Sequence, residues 1–378
     1  MSEYQYYEFQ AVDRPLGEAD RQALQALSSR ARVTARSFTN HYNYGDFRGD
    51  PLELMERWFD LHLYLTNWGT RRLMIRVPGR FLDIARFEVF VRKVEWVEIR
   101  ESGESVIIDI HYRTEEPGHS GWEEGEGWLD ALGPLRADVL GGDPRLFYLL
   151  WLTAAEAGDL DDDEEEPLPG VGPLSGALET FADFFHVAPD LVQASAERPA
   201  DGVGGDLPAD AVHGVIAAIP EAEKTALLQR LVDGDPHVAA EIRGRVREAV
   251  ASAAGEAPAR RRTVADLRSR AAAIRKEREV EAAERREAER RRRAEEEEEE
   301  ARRVRLGVLV ARGMASVWRE VETEVERRNA AGYERWACCA TSRCWRRRTG
   351  RRRSSRSAFD RFAIGMNARD SSSSGWRG

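Results

Sequence analysis

The side chains with the most chemistry to offer in this 378-residue sequence crowd into one short segment, His41-Tyr42-Asn43-Tyr44-Gly45-Asp46-Phe47, with Trp68, Arg71, Arg72 and Arg76 close behind. Aromatic rings beside an imidazole and a carboxylate suit recognition of a partner or ligand, because ring faces supply contact area and polar tips supply direction. The competing reading is that the same rings pack on a neighbouring sheet, since aromatics dominate cores as well. Arg71, Arg72 and Arg76, with Arg80 nearby, form a local basic group able to fork onto a phosphate or a partner's carboxylates. Against that stands a plain solvated strand face, in a chain whose lysines are only Lys93, Lys224 and Lys276.

Metal and catalytic readings find little support. His41, Asp46, Asp50 and His62 show no HxxxH, HExxH or paired-cysteine spacing, and Asp50 serves better as a helix cap, so no metal and no cofactor is expected. His111 is followed by Glu115, Glu116 and His119, but hairpin ends collect polar residues for no catalytic reason. The sequence contains no GxSxG, no phosphate-cradling GxxxxGKS/T and no GxGxxG after a strand, so no residue is assigned as catalytic.

The elements that position these residues are readable in part. Asp50, Pro51 and Glu53 open a helix. Its apolar rows, Leu52–Met55–Phe59 and Leu54–Trp58–Leu61–Leu65, are expected to run on until Gly69 ends it. Leu73, Ile75 and Val77 then alternate with Arg72, Met74 and Arg76 as a half-buried strand. Tyr4–Val12 reads as an opening strand, Gly17–Ser28 as an amphipathic helix and Arg32–Phe38 as a second strand running into an aromatic loop at Asn40–Asp46. Phe81–Val91 is ambiguous between helix and strand. Val94–Arg100 and Ser105–Tyr112 form a hairpin turning at Ser102-Gly103, and Trp128–Leu140 and Pro144–Ala157 read as helices. Strands and helices without a strict βαβ rhythm indicate an α+β domain over 1–158.

Beyond it, DLDDDEEE and PLPGVGP (159–172) read as a solvated acidic linker. Small helical segments fill 173–255. A long charged helix is expected over 263–330, rich in Ala, Arg and Glu, with i,i+4 pairs such as Glu281/Arg285, Glu287/Arg291, Glu289/Arg293, Glu298/Arg302 and Glu299/Arg303. Val264, Leu267, Ala271 and Ile274 start a heptad seam that Glu281 and Ala288 fail to continue, so at most weak self-association or a loose coiled coil is expected. The fold class is therefore an α+β N-terminal domain, an all-α C-terminal half with a long charged helix, and a disordered tail over 336–378.

Mean hydropathy is −0.56 and charged residues make up 33 % of the chain. No apolar run approaches the roughly 20 residues that span a bilayer. The opening MSEYQYYEFQ lacks a signal core, and Cys338, Cys339 and Cys344 all lie in the tail, so a cytoplasmic setting is expected. The chain carries −10 overall; since 336–378 holds eleven arginines against Asp360 and Asp370, a net of +9, the remainder carries −19. An acidic body argues against general affinity for nucleic-acid phosphates, while the Arg-rich helix and tail keep a nucleic-acid role in view.

The tail WACCATSRCWRRRTGRRRSSRS has no helical or strand period. A reading-frame change near Arg335 would account for it: with GC-rich codons, reading two bases later turns the segment into Val-Gly-Val-Leu-Arg-Asp-Leu-Ala-Val-Leu, an amphipathic continuation of the helix. Resequencing the locus tests this, and an intact in-frame codon series overturns it. The segments MSEYQYYEFQAVDRPL, SFTNHYNYGDFRGDP and LTNWGTRRLMIRVP together resemble a family of bacterial proteins of unknown function over roughly the first 155 residues. The resemblance implies an acidic linker and a charged helical C-terminal half, and no activity.

The expected function is a cytoplasmic protein-interaction or scaffold protein with a protein partner. The alternatives are a nucleic-acid-associated protein using the Arg-rich helix and tail, and an enzyme of unrecognised type using the His41–Asp50 loop.

Overall fold

In the computed structural model, strands built from alternating residues form a sheet covered on both faces. Described are residues 3–113, 124–200, 207–253, 261–311 and 313–326. The seven strands are β1 (Gln5–Gln10), β2 (Arg32–Val33), β3 (Ser37–Tyr42), β4 (Leu61–Thr66), β5 (Arg71–Pro78), β6 (Val97–Ser102) and β7 (Ser105–Tyr112). They form one sheet in the order β2-β3-β1-β4-β5-β7-β6, every neighbouring pair antiparallel. The tight β6–β7 hairpin pairs Ser102 with Ser105, and Gly103 takes the positive φ of 60° that the turn requires.

Because side chains alternate along a strand, the central strands β1, β4, β5 and β7 each contribute to two cores. On one face Tyr6, Leu61, Leu63, Leu65, Leu73, Ile75, Val77, Val106, Ile108 and Ile110 are buried in the larger core. On the other, Tyr7, Phe9, Phe38, Met74 and Ile107 meet Leu24 of α1 (Glu18–Leu27) and Leu54 and Met55 of α2 (Pro51–Arg57). Helices α3 (Ile84–Val91), α4 (Trp128–Leu132), α5 (Pro134–Leu140), α6 (Arg145–Ala157), α7 (Gly176–Phe184) and α8 (Pro189–Ala196) supply the larger core. A small satellite of Ile219, Leu227 and Val238 joins α9 (Ala209–Ala218), α10 (Glu221–Val232) and α11 (Val238–Ala253). α12 runs over Val264–Ala311 and α13 over Met314–Glu326. An N-terminal antiparallel sheet with helices, then an all-helical half with a long helix, is the α+β arrangement expected from the sequence.

Four expectations need correcting. The helix opened by Asp50 does not reach Gly69: α2 ends at Arg57, and Leu61–Thr66 is a central strand paired to both β1 and β5. A strand covered on both faces is apolar at nearly every position, so its alternation hides inside a helical spacing; Gly69, at φ 99°, serves the β4–β5 turn instead. β5 is likewise no half-solvated strand, since Met74 on the face carrying Arg72 and Arg76 is 0 % exposed. Arg32–Phe38 splits into β2 and β3, so His41 and Tyr42 lie in a strand and not in a loop. The acidic stretch 159–172 is not uniformly solvated: Leu160, Glu166, Leu168 and Val171 are buried. α7, α8 and the first turns of α12 join the same core as the sheet, and the first compact unit runs over Met1–Val280, with a second from Glu281 on. The tail, its cysteines and the end of the expected long helix lie outside the described residues. No helix among the described residues is long and apolar enough to cross a membrane.

Candidate functional site

The aromatic segment folds onto the sheet. Tyr42, on the face of β3 that carries Phe38, is buried, edge-on to Tyr7 at 6.0 Å, and its hydroxyl accepts from Asn40 Nδ2 at 2.8 Å. Phe47 comes back over the same face, its ring 5.0 Å from Tyr7 and 5.7 Å from Phe38. Between them Gly45 turns the chain at φ 78°, and its carbonyl accepts from Gln5 Nε2 at 3.1 Å. Tyr44 is the ring left outside, 68 % exposed; the Arg30 guanidinium lies 5.2 Å above it and donates to its hydroxyl at 3.1 Å. His41 and Asp46 are exposed, and Trp68 is half-buried in the β4–β5 turn. The structure thus brings Tyr42 and Phe47 together as packing and leaves no closed aromatic site.

Among the described residues the arginines of β5 are divided between the two faces of the sheet. Arg71 points into the larger core, where Nη1 donates to the Phe184 carbonyl at 2.6 Å and the guanidinium sits 5.1 Å from the Phe184 ring. Arg72, on the opposite face, forks onto Asp109 at 2.8 and 2.6 Å. Arg76 reaches Asp60 Oδ1 at 2.8 Å and the Glu56 carbonyl at 2.9 Å. A run such as RRLMIR looks basic in sequence, but alternation sends neighbours to opposite faces and each meets its own acceptor.

Asp60 belongs to a network invisible in the sequence. It accepts from the Val12 and Asp13 amides at 2.7 and 2.9 Å. Burial raises its pKa, yet the amide bonds and the Arg76 and Arg136 guanidinia hold it below the usual carboxylate range. Arg136 pairs with Asp13 at 2.7 Å, and Asp13 is also 3.0 Å from His237 Nε2. These residues come from five separate segments, so no local motif announces them.

A polar recess of about 590 Å³ opens on the second face of the sheet beside the β6–β7 hairpin, lined by Arg72, Trp96, Arg100, Asp109, His111 and Arg113. Burial, then the charges of Arg72 and Arg113, push His111 down to about 4, so its ring is neutral near pH 7. Asp109 is engaged by Arg72 and Glu98 by Arg100. Glu115, Glu116 and His119, which the sequence groups with His111, lie outside the described residues.

His62 is fully buried, stacked 3.9 Å from Phe9, with Nδ1 2.9 Å from the Glu8 carbonyl. Burial first, then Arg72, push it down to about 3. Asp50 caps α2 by accepting from the Leu52 amide at 2.8 Å. His41, Asp46, Asp50 and His62 are therefore not gathered, and among the described residues no group of three or more His, Cys, Asp or Glu is placed to hold a metal.

The start of α12 is fixed by charge and packing together. Val264, Leu267, Ala271 and Ile274, the seam residues, are buried inside their own chain. Arg268 donates to the Ala155 carbonyl at 2.9 and 2.8 Å. Arg270 pairs with Glu197 at 2.6 Å and Arg275 with Asp190 at 2.8 Å, and Arg278 also reaches Asp190. From Arg275 to Arg305 every residue except the half-buried Ala282 is exposed. No family model, curated protein or solved structure matches the chain.

Proposed function

We propose that the chain is a cytoplasmic protein-interaction or scaffold protein, and that the exposed stretch of α12 is its contact surface for a protein partner. The observation that supports this reading is the anchored helix itself. α12 is 48 residues long, about 72 Å at the helical rise of 1.5 Å per residue. Its first turns pack in a core and Arg275 and Arg278 pair with Asp190, while from Glu279 to Arg305 every residue except the half-buried Ala282 is exposed. Within it a block of four arginines, Arg290–Arg293, precedes a block of six glutamates, Glu295–Glu300. A partner with the opposite order of charge is selected by such blocks, because matched charges steer association and mismatched ones repel.

The test compares capture from the native host by the full chain and by a variant carrying Arg291→Glu, Arg292→Glu, Glu297→Lys and Glu298→Lys, with circular dichroism to confirm the helix. A stoichiometric protein partner kept by the wild type and lost by the variant supports the reading. Identical capture by both overturns it. Recovery of nucleic acid instead, with binding falling steeply in salt, moves the role to the nucleic-acid alternative.

A further inference from the structure

A groove larger than the recess beside the β6–β7 hairpin lies where the 3-10 turn Gly79–Phe81 and α3 face α11 across the α5–α6 turn. It encloses about 1040 Å³ and its wall carries Arg80, Arg86, Arg230, Arg245 and Arg247. Two of the five are committed: Arg230 bonds Asp235 and Glu241, at 2.9 Å each, and Arg245 bonds Glu223 and Glu241, at 2.7 and 2.9 Å. The other three are not matched by carboxylates in this way. Arg80 and Arg86 lie over Phe81 and Phe87, 4.7 and 5.9 Å from the ring centres, and among the described residues neither guanidinium has an ion pair.

Arg247 is the most telling. Its side chain is 11 % exposed and stands 3.5 Å from Asp143, a carboxylate already held by Arg145 at 2.9 Å. Nη1 donates to the Gly141 carbonyl, and Nε is buried without a hydrogen-bond partner among the described residues. Burial lowers its pKa from the usual guanidinium range, and the nearby carboxylates of Asp143 and Asp138 offset this only in part. The acids on the same wall are Asp83, Glu241 and Glu248; Glu241 is shared by Arg230 and Arg245, and Glu248 is exposed. Phe81 and Ala251, both reaching solvent, add an apolar strip beside the guanidinia.

We infer that this groove binds a small molecule bearing an oligophosphate group, with Arg80, Arg86 and Arg247 forking onto the phosphate oxygens. Guanidinium forks match phosphate oxygens two at a time, and three of them line a groove whose volume of about 1040 Å³ leaves room for a group larger than one phosphate. The apolar strip accommodates an organic portion, so the source is either a nucleoside diphosphate or bare pyrophosphate. The site is independent of the α12 surface.

Calorimetric titration of the full chain with ADP and, separately, with pyrophosphate tests it, with sulfate at matched ionic strength as the control. Binding of ADP alone assigns a role to the apolar strip; binding of both assigns recognition to the phosphates. In either case Arg80→Glu and Arg86→Glu, both at the solvent side of the groove, should each weaken binding at least tenfold while the circular dichroism spectrum is unchanged. Because Arg247 also holds the Gly141 carbonyl, Arg247→Lys serves as the milder variant, and it should weaken binding several-fold by losing the fork. No heat with either ligand, equal binding of sulfate, or affinity unaltered in the folded Arg80→Glu and Arg86→Glu variants overturns the inference.

Discussion

Arg262 grips Glu166 across 96 residues of sequence, Nε to Oε1 at 3.0 Å and Nη2 to Oε2 at 2.9 Å, with both side chains out of solvent. The Arg262 amide adds a bond to Oε1 at 3.0 Å and the Tyr148 hydroxyl donates to Oε2 at 2.9 Å. A carboxylate within an acidic run is thereby turned inward to fix the residue two before α12. The proximity of Glu166 also raises the Tyr148 pKa beyond what burial does. Glu166→Ala leaves a buried guanidinium uncompensated and should cost about 3–5 kcal/mol in urea unfolding. The double variant Glu166→Leu with Arg262→Met removes both charges and should regain at least half of that loss. A double variant no better than the single would show that the pair is not what holds this junction.

The two exposed-looking rings of the aromatic segment should behave oppositely. Phe47 contacts Tyr7, Phe9 and Phe38, so Phe47→Ala is expected to destabilise by about 2 kcal/mol, below the range for a fully buried ring because it is only partly covered. Tyr44, 68 % exposed, is engaged by the Arg30 guanidinium among the described residues, and Tyr44→Ala should stay within about 0.5 kcal/mol. Thermal unfolding of the two variants distinguishes a packing loop from a recognition loop; equal and negligible losses would favour recognition.

His62 makes the fold acid-sensitive. Its folded pKa is depressed to about 3 from the ordinary 6.5. Below 6.5 the unfolded chain takes up a proton at this residue and the folded chain does not, until the pH nears 3. Stability from this residue is thus full above the unfolded value and declines as pH falls through the window, by up to about 1.4 kcal/mol per pH unit. Between about pH 7 and about pH 5.5 the contribution is about 1.3 kcal/mol. His62→Gln should lose that much less stability than the wild type over the same interval, with His111 titrating in both and cancelling. Parallel urea midpoints for the two proteins would refute the assignment.

The limits of the sequence reading have specific causes. Where one strand face differs from the other, as in β1 and β7, or where a cap stands beside a proline, as at Asp50-Pro51, local pattern and structure agree. β4 is misread because Leu61, Leu63 and Leu65 serve one core while His62 and Tyr64 serve the other, leaving no polar face to mark the period. Glu166 escapes because its partner lies 96 residues away, and one inward carboxylate among eight acidic or linker residues leaves no local trace. The Arg247 groove draws its walls from α3, the α5–α6 turn and α11, so its charge imbalance exists only after folding. The candidate residues Tyr42, Phe47, Arg71, Arg72 and Arg76 were visible as chemistry, but which acceptors they meet is a tertiary fact.

The exposed part of α12 carries a prediction that separates it from the body. Past the Arg275 and Arg278 bonds to Asp190, the residues from Glu279 to Arg305 are exposed apart from the half-buried Ala282, and helicity there rests on propensity and on pairs one turn apart: Glu287–Arg291 at 2.5 Å, Glu289–Arg293 at 2.5 Å and Arg292–Glu296 at 3.4 Å. The expected Glu281/Arg285 pair is present at 3.8 Å, whereas Arg303 turns to Glu300 and not to Glu299. Each such pair contributes about 0.2–0.5 kcal/mol, and a like-charge pair costs a similar amount. Glu287→Lys with Glu289→Lys replaces two attractions by two repulsions and should lower local helix stability by about 1–2 kcal/mol. Hydrogen exchange over 281–305 should accelerate several-fold in the variant, and about 0.5 M salt should shrink the difference because exposed charges are screened. The unfolding temperature of the body should not move. A fall in that temperature would mean that the stretch is coupled to the core by contacts its exposure does not reveal, and the reading of α12 as an anchored helix with a free interaction surface would fail with it.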